Sequence, residues 1–188
     1  MMSEDSPWDH PDLAKADRAA WDDDDWLGGI AHCMSHTADA AADGPVLDIG
    51  CGSGRLLAPM SEQFPDVEFI GLDTSAQMLS HAAQRTDARL ICGSVEGVPS
   101  SLGGAYSMLV FQHLSRAIQA AYVSAVGEAL KRGGVFVLQW VPEGDTGPFC
   151  HPVPVDVMVG WMSDAEMVVT VEDDSVFPTW KWACAVKT

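Results

Sequence analysis

Apolar residues along this chain gather in seven short runs, separated by stretches in which apolar positions recur at helical spacing. Runs of four to eight such residues bounded by Gly, Pro or Asp read as strands. The first is Val46-Leu-Asp-Ile49, followed at once by the turn Gly50-Cys-Gly-Ser-Gly54. The others are 67–72, 88–93, 106–111, 133–140, 167–172 and 179–187. Helical composition fills the gaps: Arg55 to Gln63, a helix capped by Thr74 or Ser75, one from Gln112–Ser115 to near Lys131, and a brief helix start at Ser163–Glu166. The glycine pair Gly133-Gly134 is expected to end the third of these and launch the fifth strand.

Upstream of the first strand the pattern predicts two more helices, one from Pro11 to about Trp26 and one from Ile30 to Ala42. Residues 1–43 are therefore expected to form an N-terminal helical cap, and residues 44–188 the main domain of a single globular unit. The run Asp22-Asp-Asp-Asp25 sits between Trp21 and Trp26 and reads as a solvated face between aromatic anchors. His32 and His36 lie four apart on one helical face, a spacing that can bind metal, but no third ligand accompanies them. No metal site is expected.

Composition narrows the function classes. The 188 residues carry 27 acids against 10 Lys plus Arg, a formal charge of −17. A phosphate backbone would be repelled by such a surface, so nucleic acid is not expected as a substrate. Cys33, Cys51, Cys92, Cys150 and Cys184 are odd in number and form no CxxC pair, the usage of reduced thiols. The first residues have no basic and apolar signal pattern, and no apolar run reaches membrane-spanning length. These features predict a cytoplasmic protein without a membrane partner; they fix no oligomeric state.

The chemistry is concentrated at the first strand–turn–helix unit. Gly50, Gly52 and Gly54 alternate with single residues, and Asp48 stands two positions before them. A turn so tight lets a ligand lie against the backbone, and strand-to-helix turns are where open α/β sheets bind ligands. Dinucleotide enzymes need GxGxxG, and here the position three after Gly52 is Arg55, which speaks against a nicotinamide-dependent reductase. Asp48 would repel a pyrophosphate but could hold an ammonium group. At the end of the second strand comes Asp73, 19 residues beyond Gly54, about where an acid accepts hydrogen bonds from ribose hydroxyls.

The turn at 50–54 with Asp48, and Leu72-Asp-Thr-Ser-Ala-Gln-Met-Leu79, resemble the first two motifs of class I S-adenosylmethionine-dependent methyltransferases. The resemblance covers residues 44–140 well and the last strands weakly. It implies an α/β, Rossmann-like three-layer sandwich with a seven-stranded, mostly parallel sheet of order 3-2-1-4-5-7-6. It implies S-adenosyl-L-methionine as cofactor, with Asp48, Gly50, Cys51, Gly52 and Gly54 around its methionine part. Asp73 would meet the ribose, and Met78, Ser94, Val95 and Glu96 the adenine, with Thr74 and Phe111 also in the cofactor site. The family normally has an acid where this chain has Ser94; a serine oxygen or Glu96 can take that contact.

The implied reaction is methyl transfer to an oxygen or nitrogen nucleophile of a small-molecule acceptor. His113, just beyond the fourth strand, is the candidate acid/base, since an imidazole exchanges protons near neutral pH. The Asn/Asp-Pro-Pro-aromatic run of DNA-amine methylators is absent there, a further point against base modification. Trp140, Phe149 and Trp161 either wall an acceptor pocket or pack the core. Cys150-His151 lacks spaced partners. The alternative function is a catalytically silent methyltransferase-like module that binds S-adenosylmethionine or a protein partner.

Overall fold

The computed structural model describes residues 32–33, 44–144, 150–175 and 179–188. The helix expected over 11–26, the aspartate run, His36 and Phe149 lie outside the described residues, as does most of the second expected helix, of which His32 and Cys33 are helical.

Seven strands form one sheet in the order β3-β2-β1-β4-β5-β7-β6. They are β1 (Val46–Ile49), β2 (Phe69–Asp73), β3 (Arg89–Cys92), β4 (Leu102–Ser107), β5 (Leu130–Trp140), β6 (Met167–Asp173) and β7 (Lys181–Lys187). The first five are parallel, and β7 enters antiparallel to both β5 and β6. The helices α1 (Leu57–Gln63), α2 (Ala76–Ala82), α3 (Arg116–Ala129) and α4 (Val155–Asp164) connect them. This is the expected Rossmann-like architecture and strand order.

Side chains alternate across each strand, so the sheet feeds two cores. Leu47 and Ile49 of β1 join Tyr122, Val123 and Val126 of α3 and Met158 and Met162 of α4 on one face. Val46, Phe69, Tyr106, Val137 and Trp182 meet Leu57 and Met60 of α1, Leu79 of α2 and Cys33 on the other. The His32 ring stacks on Trp182 at a centroid distance of 4.4 Å, so this pair packs on the face of the sheet.

Four boundaries differ from the pattern. The fourth strand is not 106–111 but Leu102–Ser107, and Phe111 lies in a 3₁₀ turn beyond it. The apolar run Met108-Leu-Val-Phe111 reads as strand, yet Leu109 adopts φ 60°, which no ladder accommodates. The strand's true start contains Gly103-Gly104, poor strand formers, of which Gly104 is held by ladders on both sides, opposite Val46 and Val135. The glycine pair 133–134 does not launch β5. Helix α3 ends at Ala129, β5 begins at Leu130, and the pair sits in a bulge between the pairings Leu102–Leu130 and Gly104–Val135, with Gly133 at φ 81°. Helix α1 starts at Leu57 rather than Arg55 because Gly54 is left-handed and a turn intervenes. Finally, Ser163–Glu166 ends a helix instead of starting one. Three valines disguise α4 as non-helical sequence, but Met158 and Met162 share its buried stripe.

The central position of β5 gives a direct test. Phe136 is fully buried and its ring lies 6.2 Å from that of Phe111. Phe136→Ala should cost about 3–5 kcal/mol in urea unfolding, whereas Val168→Ala, on the exposed side of edge strand β6, should change stability by less than about 0.5 kcal/mol.

Candidate functional site

Strands β1 and β4 are neighbours, but β1 leads outward to β2 and β4 leads the other way to β5. Their carboxyl ends therefore bound the crevice that every sheet of this topology leaves open. Five segments converge there: the glycine turn, the end of β2, the end of β3, residues 108–113 after β4, and the end of β5.

The turn is stitched to β2 before any ligand is considered. Gly50 and Cys51 both donate their N–H to the Leu72 carbonyl, at 2.7 and 3.1 Å. The Asp73 carboxylate closes the joint: its Oδ2 accepts from Gly52 N–H and its Oδ1 from Ser75 N–H, both at 2.8 Å. Ser75, not Thr74, caps α2, accepting from the Met78 N–H at 3.1 Å. Gly50 has φ +72°, and a Cβ there would lie 2.4 Å from a methyl of Val110. Only glycine fits. Above Gly52 the space is different: among the described residues, only the Met78 terminal methyl comes within 4 Å of a Cβ built there, at 3.7 Å. That open backbone surface, with Asp73 beside it, is where a flat, hydroxyl-bearing ligand can lie.

Asp48 is buried within β1, opposite Tyr106 on β4, with Cys33 and Cys51 close by. Burial holds its carboxyl well above the usual carboxylate range; the Tyr106 hydroxyl partly offsets this, and the Asp73 charge adds to it. The same burial, with Asp48 nearby, pushes the Tyr106 phenol and the Cys33 and Cys51 thiols up. Asp48 Oδ2 and the Tyr106 hydroxyl have no hydrogen bond of ordinary geometry among the described residues. An orphaned buried oxygen beneath a glycine turn fits a cationic ligand group arriving from the crevice.

On the far side of the crevice the expected adenine residues lie together. Val95 and Glu96 form a short 3₁₀ turn after β3. Glu96 Oε1 accepts from Ser94 N–H at 3.2 Å, and the Tyr122 hydroxyl approaches Ser94 Oγ at 3.5 Å. Both polar groups are thus at hand but already engaged.

Other expected residues fall elsewhere. His113 is exposed after β4, its Nε2 3.1 Å from the Gln112 amide nitrogen. Phe111 is fully buried, its ring packed near those of Tyr122 and Phe136, so that side chain serves the core. Trp140 is no pocket wall: it is 1% exposed and donates Nε1–H to the Val153 carbonyl at 3.0 Å. Trp161 packs at the margin of the same core. Cys150 and His151 belong to a strap: His151 N–H donates to the Gln112 carbonyl, and Gln119 Nε2 donates to the carbonyls of Leu114 and His151. Among the described residues no three His, Cys, Asp or Glu side chains could jointly hold a metal, and no helix is long and apolar enough to cross a membrane.

Sequence reasoning did not single out Gln139 or Tyr106. Gln139 was detectable as the one amide inside the apolar run Val135–Trp140, and Tyr106 only once the strands were paired.

Known proteins agree with this geometry. Residues 46–134 match the methyltransferase domain family. A trans-aconitate 2-methyltransferase of Deinococcus radiodurans is 32% identical over 96 residues, which is 50% of this chain but 36% of that protein. A second, from Rhodopseudomonas palustris, is 48% identical over 44 residues, or 23% of this chain and 17% of the relative. The chain thus aligns with well under half the length of these relatives. Among solved structures, a magnesium protoporphyrin IX methyltransferase from Synechocystis with bound S-adenosylhomocysteine superposes with TM-score 0.76 at 16% identity, covering 96% of each chain. An amino pentose methyltransferase from Micromonospora echinaspora, bound to S-adenosylmethionine, gives 0.76 at 18% identity, covering 95% of this chain and 98% of the other. Residues 46–134 thus resemble a methyltransferase domain in sequence, and the described fold superposes on methyltransferases solved with S-adenosylmethionine or S-adenosylhomocysteine bound.

Proposed function

We propose that this protein transfers a methyl group from S-adenosylmethionine to an oxygen or nitrogen nucleophile of a small molecule. The observation that carries the reading is the joint at Asp73, where one carboxylate, fixed by two backbone amides, lies beside the open backbone of Gly52. A carboxylate at the end of β2 is a charged acceptor of the kind a ribose hydroxyl can donate to. The Gly50–Gly54 turn and Asp48 would face the methionine part, and a neighbouring ammonium would favour the Asp48 carboxylate over its neutral form. Met78, Val95 and the Ser94–Glu96 turn would border the adenine.

The cofactor supplies an activated methyl group, so the chain need only align donor and acceptor and manage one proton. His113, exposed beside the crevice, is placed in this reading to take a proton from the acceptor or to orient it. Small carboxylic acids are the first acceptors to try, because trans-aconitate 2-methyltransferases are among the relatives at over 30% identity. The acidic surface disfavours nucleic acid as acceptor. Residues 1–43 would serve as a cap, a role supported by Cys33, which is buried near Asp48. A silent binding module is the second reading, favoured by the engagement of Ser94 and Glu96 with each other and with Tyr122.

Titration calorimetry with S-adenosylmethionine and S-adenosylhomocysteine, with NADH as control, is the first test; micromolar binding of the first two alone is expected. Asp73→Ala should weaken S-adenosylhomocysteine binding by at least about tenfold, because it removes a charged acceptor and unpins the turn. His113→Ala should leave that affinity unchanged and lower turnover by about a hundredfold or more. Full turnover in His113→Ala would remove the residue from the chemistry, and no turnover with any acceptor in a cofactor-binding protein would favour the silent module.

Asp48 makes a separate prediction about pH. Its folded pKa lies above its unfolded value, so the folded state binds the extra proton and stability falls as pH rises from about 4 toward the folded pKa. Asp48→Asn should therefore melt above the wild type at pH 7–8 and together with it at pH 4 or below, while binding S-adenosylmethionine more weakly.

A further inference from the structure

Residues 108–110 leave β4 through a left-handed bend. Leu109 has φ 60°, a conformation that a leucine adopts only when its surroundings impose it. The imposing contact comes from β5. Gln139, 1% exposed, accepts the Leu109 N–H on Oε1 at 3.0 Å. Its Nε2 donates to Asp174 Oδ2 at 2.7 Å. One neighbour is an obligate donor and the other an acceptor, so the orientation of the amide is fixed by its partners. Asp174, 5% exposed, is itself anchored where β6 runs toward β7, its N–H donating to the Trp180 carbonyl at 3.2 Å.

The consequence falls on the next residue. Val110 fills the space beside Gly50, its two methyls 2.4 and 2.7 Å from where a Cβ would be. The bend at Leu109 therefore decides how Val110 leans on the glycine turn. We infer that Gln139, braced by Asp174, is a positioning residue that holds the Leu109–Val110 bend against Gly50 and so sets the shape of the methyl-donor site. The role rests on the cofactor reading above. It links the hairpin end of the antiparallel pair β6–β7 to a site built by the parallel strands, through four residues and no contact with ligand.

The chemistry permits an inverted pair. In Gln139→Glu two carboxylates face each other in a buried space, and the brace is lost. Adding Asp174→Asn restores it, since the amide at 174 donates to the carboxylate at 139, whose other oxygen still accepts from Leu109. Asp174→Asn alone keeps an acceptor for Gln139 and serves as the mild control.

The full chain should be tested in two ways. Amide hydrogen exchange at Leu109 should accelerate by about tenfold or more in Gln139→Leu and Gln139→Glu, and return to near the wild-type rate in the double variant. S-adenosylhomocysteine affinity, measured well below each melting temperature, should fall about tenfold in Gln139→Glu and recover to within about threefold in the double variant. Unchanged exchange at Leu109 in folded Gln139→Leu would overturn the tether whatever the ligand does. Wild-type affinity in Gln139→Glu, or no recovery in the double variant, would overturn the positioning role. If the wild type itself binds no S-adenosylhomocysteine, the cofactor reading and the positioning role both fall, and the tether is judged by exchange alone.

Discussion

The Asp73 carboxylate is the contact on which the site depends. A parallel sheet brings the ends of β1 and β2 side by side, but ladder hydrogen bonds stop where the strands stop, and the loops beyond must find partners or water. Asp73 provides them. It is the last residue of β2, and its two oxygens take one amide from the glycine turn and one from the start of α2. Charged acceptors make the stronger hydrogen bonds, so both loops are held in place without crowding the space above Gly52. Removal of the acid would loosen the cradle, and under the function proposed above it would also delete a ligand contact, so that a single substitution at that position could not separate the two roles.

Beneath the joint lies an unusual concentration of ionisable groups. Asp48, Tyr106, Cys33 and Cys51 share one buried region on the face of the sheet, and each is pushed toward its neutral form. An acid in such a place costs stability near neutral pH, because the unfolded chain would ionise it freely. A structural core would do better with a leucine. The cost is understandable if a cationic group arrives to share the space, since the same carboxyl then becomes an attractive partner.

The parts of the molecule that were legible in the sequence are those written in local chemistry. Gly50, Gly52 and Gly54 announce a turn, Asp73 a strand end at a fixed distance, and Thr74 or Ser75 a helix start, of which Ser75 is the one used. What escaped was decided by long-range pairing. Gly104 enters β4 because β1 and β5 hold it on both sides, and Met108-Leu-Val110 leaves it because Gln139, thirty residues on, captures the Leu109 amide. Trp140 was read as a pocket wall or a core residue, and the 13-residue reach to the Val153 carbonyl settled it for the core. The valines of α4 masked a helix whose stability comes from Met158 and Met162 packing on α3 rather than from propensity.

The acceptor side of the crevice follows from the same economy. Among the described residues between β5 and β6 lies one ten-residue helix, α4, and its buried stripe faces the core. The strap before it is tied down by Gln112, Arg116 and Gln119, through hydrogen bonds to His151 and Pro152. Little of this segment is left to enclose a large substrate. Trp140, at the end of β5, and Phe111, in the turn beyond β4, are committed to packing. Under the function proposed above, selectivity for an acceptor would rest on the exposed rim around His113. A small, polar acceptor that needs few apolar contacts suits such a rim better than a large hydrophobic one, because its recognition depends on a few directed hydrogen bonds rather than on buried area.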